Sequence, residues 1–276
     1  MRFLDIRTDF AFKKVFGSED SKVRLISFLN SIIYRNSDIK VEDLTIVDPY
    51  NIPMLKGMKD SFVDVKAVLS DQTKVIIEMQ VLPHEGFEKR ILYNAAKNYS
   101  AQLVKGQQYD LLNPIIALSI VDFDMFPDSD KVITNFKLLE KEEFINYTDD
   151  LEMIFVELPK FNKELDELSS ITDEWIWFLK NAGSLEYVPK TISVDVTSAL
   201  SVANEAGMSE EELEIQHRKH DFIRIQNGAL SLAKKQGFEQ GKHDMIKGMY
   251  CAGIQIEQIA LASALTEQEI KNILNI

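Results

Sequence analysis

The chain has 276 residues, 45% of them hydrophobic and 27% charged, with 11 glycines and 7 prolines, a composition that excludes collagen-like, low-complexity and wholly disordered chains. A chain of this length buries roughly three-quarters of its unfolded surface, enough for one large domain or a domain with a helical appendage. A net charge of −13 excludes a protein that coats nucleic acid by electrostatics alone. The charge is unevenly spread: residues 1–110 carry 16 basic and 15 acidic side chains, whereas residues 111–276 carry 15 and 29. A polyanion would therefore meet the acidic penalty only at the second part. Cys251 is the only cysteine, which rules out a disulfide within the chain and points to a reducing compartment. Arg2, Asp5, Arg7 and Asp9 leave no apolar core for a secretory signal, and no uncharged stretch of about 18 residues occurs. A cytoplasmic protein with no membrane partner is expected.

In chain order, Thr8-Asp9 before FAFKKVF and Gly17 predicts a short capped helix. Ser18 to Ser21 then cap KVRLISFLNSII, where Val23, Ile26, Leu29, Ile32 and Ile33 recur at helical spacing. Residues 39–48 read as a strand closed by Asp48-Pro49, and 61–69 with 74–82 form the clearest strand pair. EGFEKRILYNAAKNYSAQLVKG predicts an amphipathic helix ending at Gly106, followed by a buried strand, PIIALSIVDF, and two more strands at VITNFKLLE and LEMIFVELP. From about residue 164 only helices are expected, with Trp175 and Trp177 packing between them. In the last of these, Gly228, Gly237, Gly241, Gly248 and Gly253 predict breaks or a mobile arm, because an interior glycine costs about 1 kcal/mol of helix stability.

The strand pair carries the chemistry. Strand alternation puts Val63, Val65, Ala67 and Leu69 on one apolar face and Val75, Ile77, Met79 and Val81 on another. The opposite faces read Phe62, Asp64, Lys66, Val68 and Lys74, Ile76, Glu78, Gln80, Leu82, polar in the middle. If the turn around Ser70 to Thr73 has an odd number of residues, the apolar faces coincide, and Asp64, Lys66, Glu78 and Gln80 come within cross-strand reach. Two converging carboxylates must keep a proton or bind a cation. Hard oxygen ligands select magnesium or manganese, ions that suit a phosphodiester site. The competing reading is a hairpin decorated with Lys66–Glu78 and Asp64–Gln80 surface pairs.

The order TDFAFKKVFG, FVDVKAVLSDQTKVIIEMQ, KRILYNAAKNYSAQLVKGQQY, PIIALSIVDF and VELPKF closely resembles the Rpn family, recombination-promoting nucleases often labelled transposases, within the PD-(D/E)XK nuclease superfamily. The resemblance covers about residues 5–165. It implies an α/β fold with a restriction-endonuclease-like αβββαβ core and a mixed central sheet, followed by an all-α C-terminal extension. It further implies a magnesium- or manganese-dependent DNA endonuclease that promotes recombination. The family's strand aspartate corresponds to Asp64, its Glu-x-Gln to Glu78 and Gln80, and its N-terminal acidic position to Asp9. Gln80 stands where the wider superfamily places a lysine, and Lys66, two residues from Asp64, is the expected substitute. Asp64 and Glu78 would hold the metal, and Lys13, Arg90, Lys97 and Gln102 would contact DNA.

The expected organisation is a nuclease-like domain at 1–163, helices packing on it at 164–206, and a helical arm at 207–276 that is mobile or forms a homo-oligomer. His217 and His220, with His243, lack a third nearby ligand, so zinc is not expected. Residues 244–274 have helix-turn-helix-like spacing, but TEQEIKNIL offers one lysine against two glutamates, so packing or oligomerisation is the preferred role. The rival function is a non-catalytic scaffold that acts through the acidic helical arm.

Overall fold

The computed structural model describes residues 2–51 and 61–276. Helices α1 (Asp9–Phe16) and α2 (Lys22–Ile32) precede β1 (Leu44–Val47), β2 (Tyr50–Asn51), β3 (Ser61–Phe62), β4 (Val65–Leu69) and β5 (Lys74–Gln80). Then come α3 (Phe87–Ser100), β6 (Ile115–Val121), β7 (Ile133–Leu139), β8 (Asn146–Glu157), α4 (Ile171–Asn181) and α5 (Val194–Val202). The chain ends in α6 (Glu210–Cys251), α7 (Ile256–Ser263) and α8 (Glu267–Leu274). Six strands form one mixed sheet in the order β1-β4-β5-β6-β8-β7, and β2 pairs with β3. Within the sheet, β5–β6 and β6–β8 are parallel, while β1–β4, β4–β5 and β7–β8 are antiparallel. The parallel pair β5–β6 is joined through α3, as a parallel crossover requires. This is the expected α/β class with a helical C-terminal region.

The sheet is covered on both faces. Val65, Ala67, Val75, Ile77, Leu118 and Ile154 bury against the helices α1, α2, α4 and α5. Ile76, Ala117, Val121 and Phe155 face Phe87, Ile91 and Ala95 of α3. Such double coverage explains why β6 is a run of apolar residues without polar alternation. Trp175 sits among Phe16, Phe28 and Phe178, with ring centroids 5.6–5.7 Å away, and its indole donates to Ser27 Oγ at 3.2 Å.

Several boundaries differ from the sequence expectation for local reasons. The Asn30 side chain takes both the N–H and the carbonyl of Val41, at 2.7 and 3.0 Å, so that backbone never joins the ladder and β1 starts at Leu44. The buried stripe of α2 is Leu25, Phe28, Leu29 and Ile32, whereas Val23 is exposed. Helix α3 stops at Ser100, short of Gly106, because Gln102 turns back to bond Asn113. The expected helix breaks do not occur: α6 runs unbroken through Gly228, Gly237, Gly241 and Gly248.

By packing, the chain divides into two units, Met1–Asp221 and Phe222–Ile276. Residues on either side of 163 share one core in the first unit. The start of α6 belongs there too. Gln216 is buried and donates to the Asp5 carbonyl at 3.4 Å while accepting from Thr8 Oγ1 at 2.8 Å. Glu212 pairs with Lys14, and Lys219 with Asp9 at 3.1 Å. The second unit packs Ile246 of α6, Ile259 of α7 and Ile270 of α8 together, with Thr266 and Glu269 forming a capping box on α8. Among the described residues, no helix is long and apolar enough to cross a membrane.

Candidate active site

The hairpin β4–β5 has the odd-length turn that unites the apolar faces, with Val65 opposite Ile77 and Ala67 opposite Val75. The alternation ends at Asp64. Val63 leaves the face of Val65 and buries against α3, and the chain bends between β3 and β4. In a continued ladder the N–H of Met79 would face Val63. Instead it donates to Asp64 Oδ2 at 2.8 Å. The Asp64 N–H in turn donates to the Ile77 carbonyl at 3.0 Å. The bend thus holds the Asp64 carboxylate at the end of the sheet, fixed to the neighbouring strand.

Helix α1 supplies the wall opposite. The Thr8 side chain caps it by accepting from the Ala11 N–H, which places Asp9 in the first turn and Lys13 one turn later on the same face. Gly17 closes the helix with an N–H to the Lys13 carbonyl at 2.7 Å. A Cβ there would also lie 2.7 Å from that oxygen, so a residue with a side chain could not close the helix this way. Lys13 Nζ lies 3.2 Å from Asp64 Oδ1.

Glu78 projects from β5 toward α3 and is nearly buried. Arg90 Nη2 donates to its Oε2 at 3.0 Å and to Gln80 Oε1 at 2.7 Å, and Asn94 Nδ2 donates to its Oε1 at 2.6 Å. Gln80 Nε2 is used by the Leu82 carbonyl. Arg90 also lies over the Phe87 ring, 5.1 Å from its centroid. Asp9, Lys13, Asp64, Glu78, Gln80 and Arg90 all line one cavity of about 210 Å³.

Burial pushes the Asp64 carboxyl above its ordinary range, against the Met79 N–H and Lys13, and Asp9 adds to the rise. Burial likewise raises Glu78, against Arg90 and Asn94, with Asp64 adding repulsion. These are carboxylates that would gain from a further positive charge.

The other expected residues lie elsewhere. Lys66 is paired across the sheet with Val47 and Ile76 and does not line the cavity; burial and Lys74 lower its pKa, against Asp48. Lys97 is buried, 6.0 Å from the Tyr93 ring centroid. Gln102 clamps Asn113, donating to its carbonyl at 2.8 Å and accepting from its N–H at 3.1 Å. Two participants were not anticipated. Asn94 follows Arg90 by one helical turn, a spacing that places both on the face of α3 toward Glu78. Lys219 reaches Asp9 from α6, a contact without any sequence signal. His217 and His220 line a separate cavity with Arg7 and Lys180.

A family model described as PD-(D/E)XK nuclease family transposase matches residues 6–231. The chain belongs to this family. A nuclease-type function follows, and PD-(D/E)XK nucleases typically use divalent metals. Searches of curated proteins and of solved structures gave no significant match. The match runs past the sheet and through the start of α6 that packs on α1, so this PD-(D/E)XK chain includes that helix turn within its family region.

Among the described residues, no cluster of three or more histidine, cysteine, aspartate or glutamate side chains is arranged to hold a metal ion. Asp64 and Glu78 nonetheless fit a hard divalent cation by their chemistry. Among the described residues each carboxylate oxygen carries one hydrogen-bond or ion-pair partner, which leaves it a lone pair. Beside them, Asn94 Oδ1 is buried without a hydrogen-bond partner among the described residues.

Proposed function

We propose that this PD-(D/E)XK protein is a magnesium- or manganese-dependent DNA endonuclease of the cytoplasm whose strand breaks promote recombination. The observation that carries the reading is the convergence of Asp64 and Glu78 in one cavity, each beside its own basic side chain, Lys13 and Arg90. Asp64 and Glu78 would hold the cation. When bound, it would lower the negative charge of the scissile phosphate and the pKa of a water.

The chain's own residues supply the rest. Lys13, on α1, places an ammonium at the mouth of the carboxylate pair, where it can stabilise charge developing on the phosphate. It takes the role expected of Lys66. Arg90 offers a planar fork suited to a phosphate oxygen, and Gln80, by accepting from Nη2, sets the plane of that fork. Asp9, paired with Lys219, holds the first turn of α1 against α6 and adds negative charge near Asp64. Lys97 and Gln102 support this arrangement from within α3 and its exit.

A homo-oligomer through the C-terminal helices belongs to the same proposal. In the second unit, Phe222, Ile225, Leu232 and Phe238 of α6 are exposed apolar side chains on one long helix. Incubating supercoiled plasmid with the protein in magnesium, manganese or chelator tests the catalytic reading. Metal-dependent nicking that disappears in Asp64→Asn supports it; equal nicking in chelator contradicts it.

A further inference from the structure

Asn94 is an expensive residue where it stands. It is 1% exposed in the middle of α3, and its Oδ1 is buried without a hydrogen-bond partner among the described residues. A leucine would suit a buried helix face better, because an unsatisfied acceptor loses its hydration without replacement. What the carboxamide does is hold Glu78, by a 2.6 Å hydrogen bond from Nδ2 to Oε1. Asn98, one turn later and also buried, donates instead to the Asn94 main-chain carbonyl at 2.8 Å. Only one of these two buried amides reaches the carboxylate.

Glu78 is gripped at both oxygens, and the two grips differ in kind. Arg90 carries a full charge and also serves Gln80, so an incoming phosphate competes for it. Asn94 is neutral and buried. It can keep Glu78 in one rotamer without cancelling the negative charge a cation needs, and it remains in place if Arg90 turns to substrate.

We propose that Asn94 is the positioning residue that fixes Glu78 for a divalent cation, with Nδ2 orienting the carboxylate from behind the cavity wall. The inference rests on the metal-dependent reading above and deepens it. Residues that orient a ligating carboxylate typically contribute 10–100-fold to metal affinity.

The test is calorimetric titration of the full chain with Mn2+, with no substrate and no activity readout. Wild type, Asn94→Ser, Asn94→Leu and the matched control Asn98→Ser are compared, each first shown to be folded by circular dichroism. Both Asn94 variants should bind Mn2+ at least about 10-fold more weakly, with Asn98→Ser within about twofold of wild type. If Asn94→Leu does not fold, Asn94→Ser decides alone. Wild-type affinity in the Asn94 variants, or an equal loss in Asn98→Ser, overturns the assignment while leaving the cation site intact. A wild-type chain that takes up no Mn2+ overturns the cation site and this assignment with it.

Discussion

The Asp64 carboxylate accepts a 2.8 Å hydrogen bond from the peptide N–H of Met79, the residue that follows Glu78. One acidic side chain is thereby anchored to the backbone of the strand that carries the other. Asp64→Asn keeps an oxygen for that N–H and loses the charge, whereas Asp64→Ala strands a peptide donor. The asparagine variant should melt within a few degrees of wild type but lose Mn2+ binding. The alanine variant should lose binding and also about 1–3 kcal/mol of stability, read as a lower urea midpoint. Equal stability of the two variants would mean that the Met79 contact is not formed.

Acidity should act on the metal-free protein in an unusual direction. Asp64 and Glu78 both have pKa values raised by burial, so the folded state binds protons more readily than the unfolded chain. Their contribution is therefore most favourable below the ordinary carboxylate pKa of about 4, and is lost as pH rises from there through their raised folded values. In chelator, the Asp64→Asn, Glu78→Gln double variant should gain on wild type in melting temperature across that window. Parallel profiles for the two proteins would show that these carboxyls are not perturbed.

Lys13 and Lys66 make opposite predictions. Lys13→Met removes the ammonium beside Asp64 and should lower nicking by about 100-fold or more, the usual effect of deleting one charge-stabilising donor. Lys66→Met should leave most of the activity. The assignment of Lys13 is wrong if the two variants lose activity in the reverse order.

Where the chain can be cut follows from α6. Ending it after Asp221 keeps Glu212, Gln216 and Lys219 on α1 and should leave a folded first unit with altered assembly in sedimentation. Ending it after Glu205 removes the buried Gln216 contacts to Thr8 and Asp5, at a cost of about 1–2 kcal/mol, or roughly 2–8 °C in melting temperature for a unit of this size. Identical melting of the two truncations would show that the start of α6 adds nothing.

Much of the sheet was legible because β4, β5 and β6 obey simple rules: alternation where one face is mixed, a continuous apolar run where both are covered. The carboxylate pair was legible for the same reason, since an odd turn carries Asp64 and Glu78 to the same end of the hairpin. What the sequence could not show were contacts formed by side chains that replace the ladder. The Asn30 amide shortens β1, and the Asp64 carboxylate ends the alternation that would have kept Val63 beside Val65. Strand alternation makes Lys66 the expected substitute, because it follows Asp64 by two. The bend at Asp64 breaks that shared face, and Lys13 enters from a helix more than 50 residues earlier in the chain. Helix α6 was hidden by its glycines, whose propensity cost argued for breaks that do not form.

The most direct measurement is magnesium- or manganese-dependent nicking of supercoiled plasmid by purified Glu78→Gln protein. The substitution preserves the size of the side chain and one acceptor oxygen, enough for Arg90 or Asn94 but not for both, and deletes one of the two charges. The variant should stay folded, with a melting temperature in chelator equal to wild type or a degree or two higher. Its nicking rate should fall by at least about 100-fold, because charge neutralisation by the cation supplies several kcal/mol at the transition state. Nicking at the wild-type rate would place the active site somewhere other than Asp64 and Glu78.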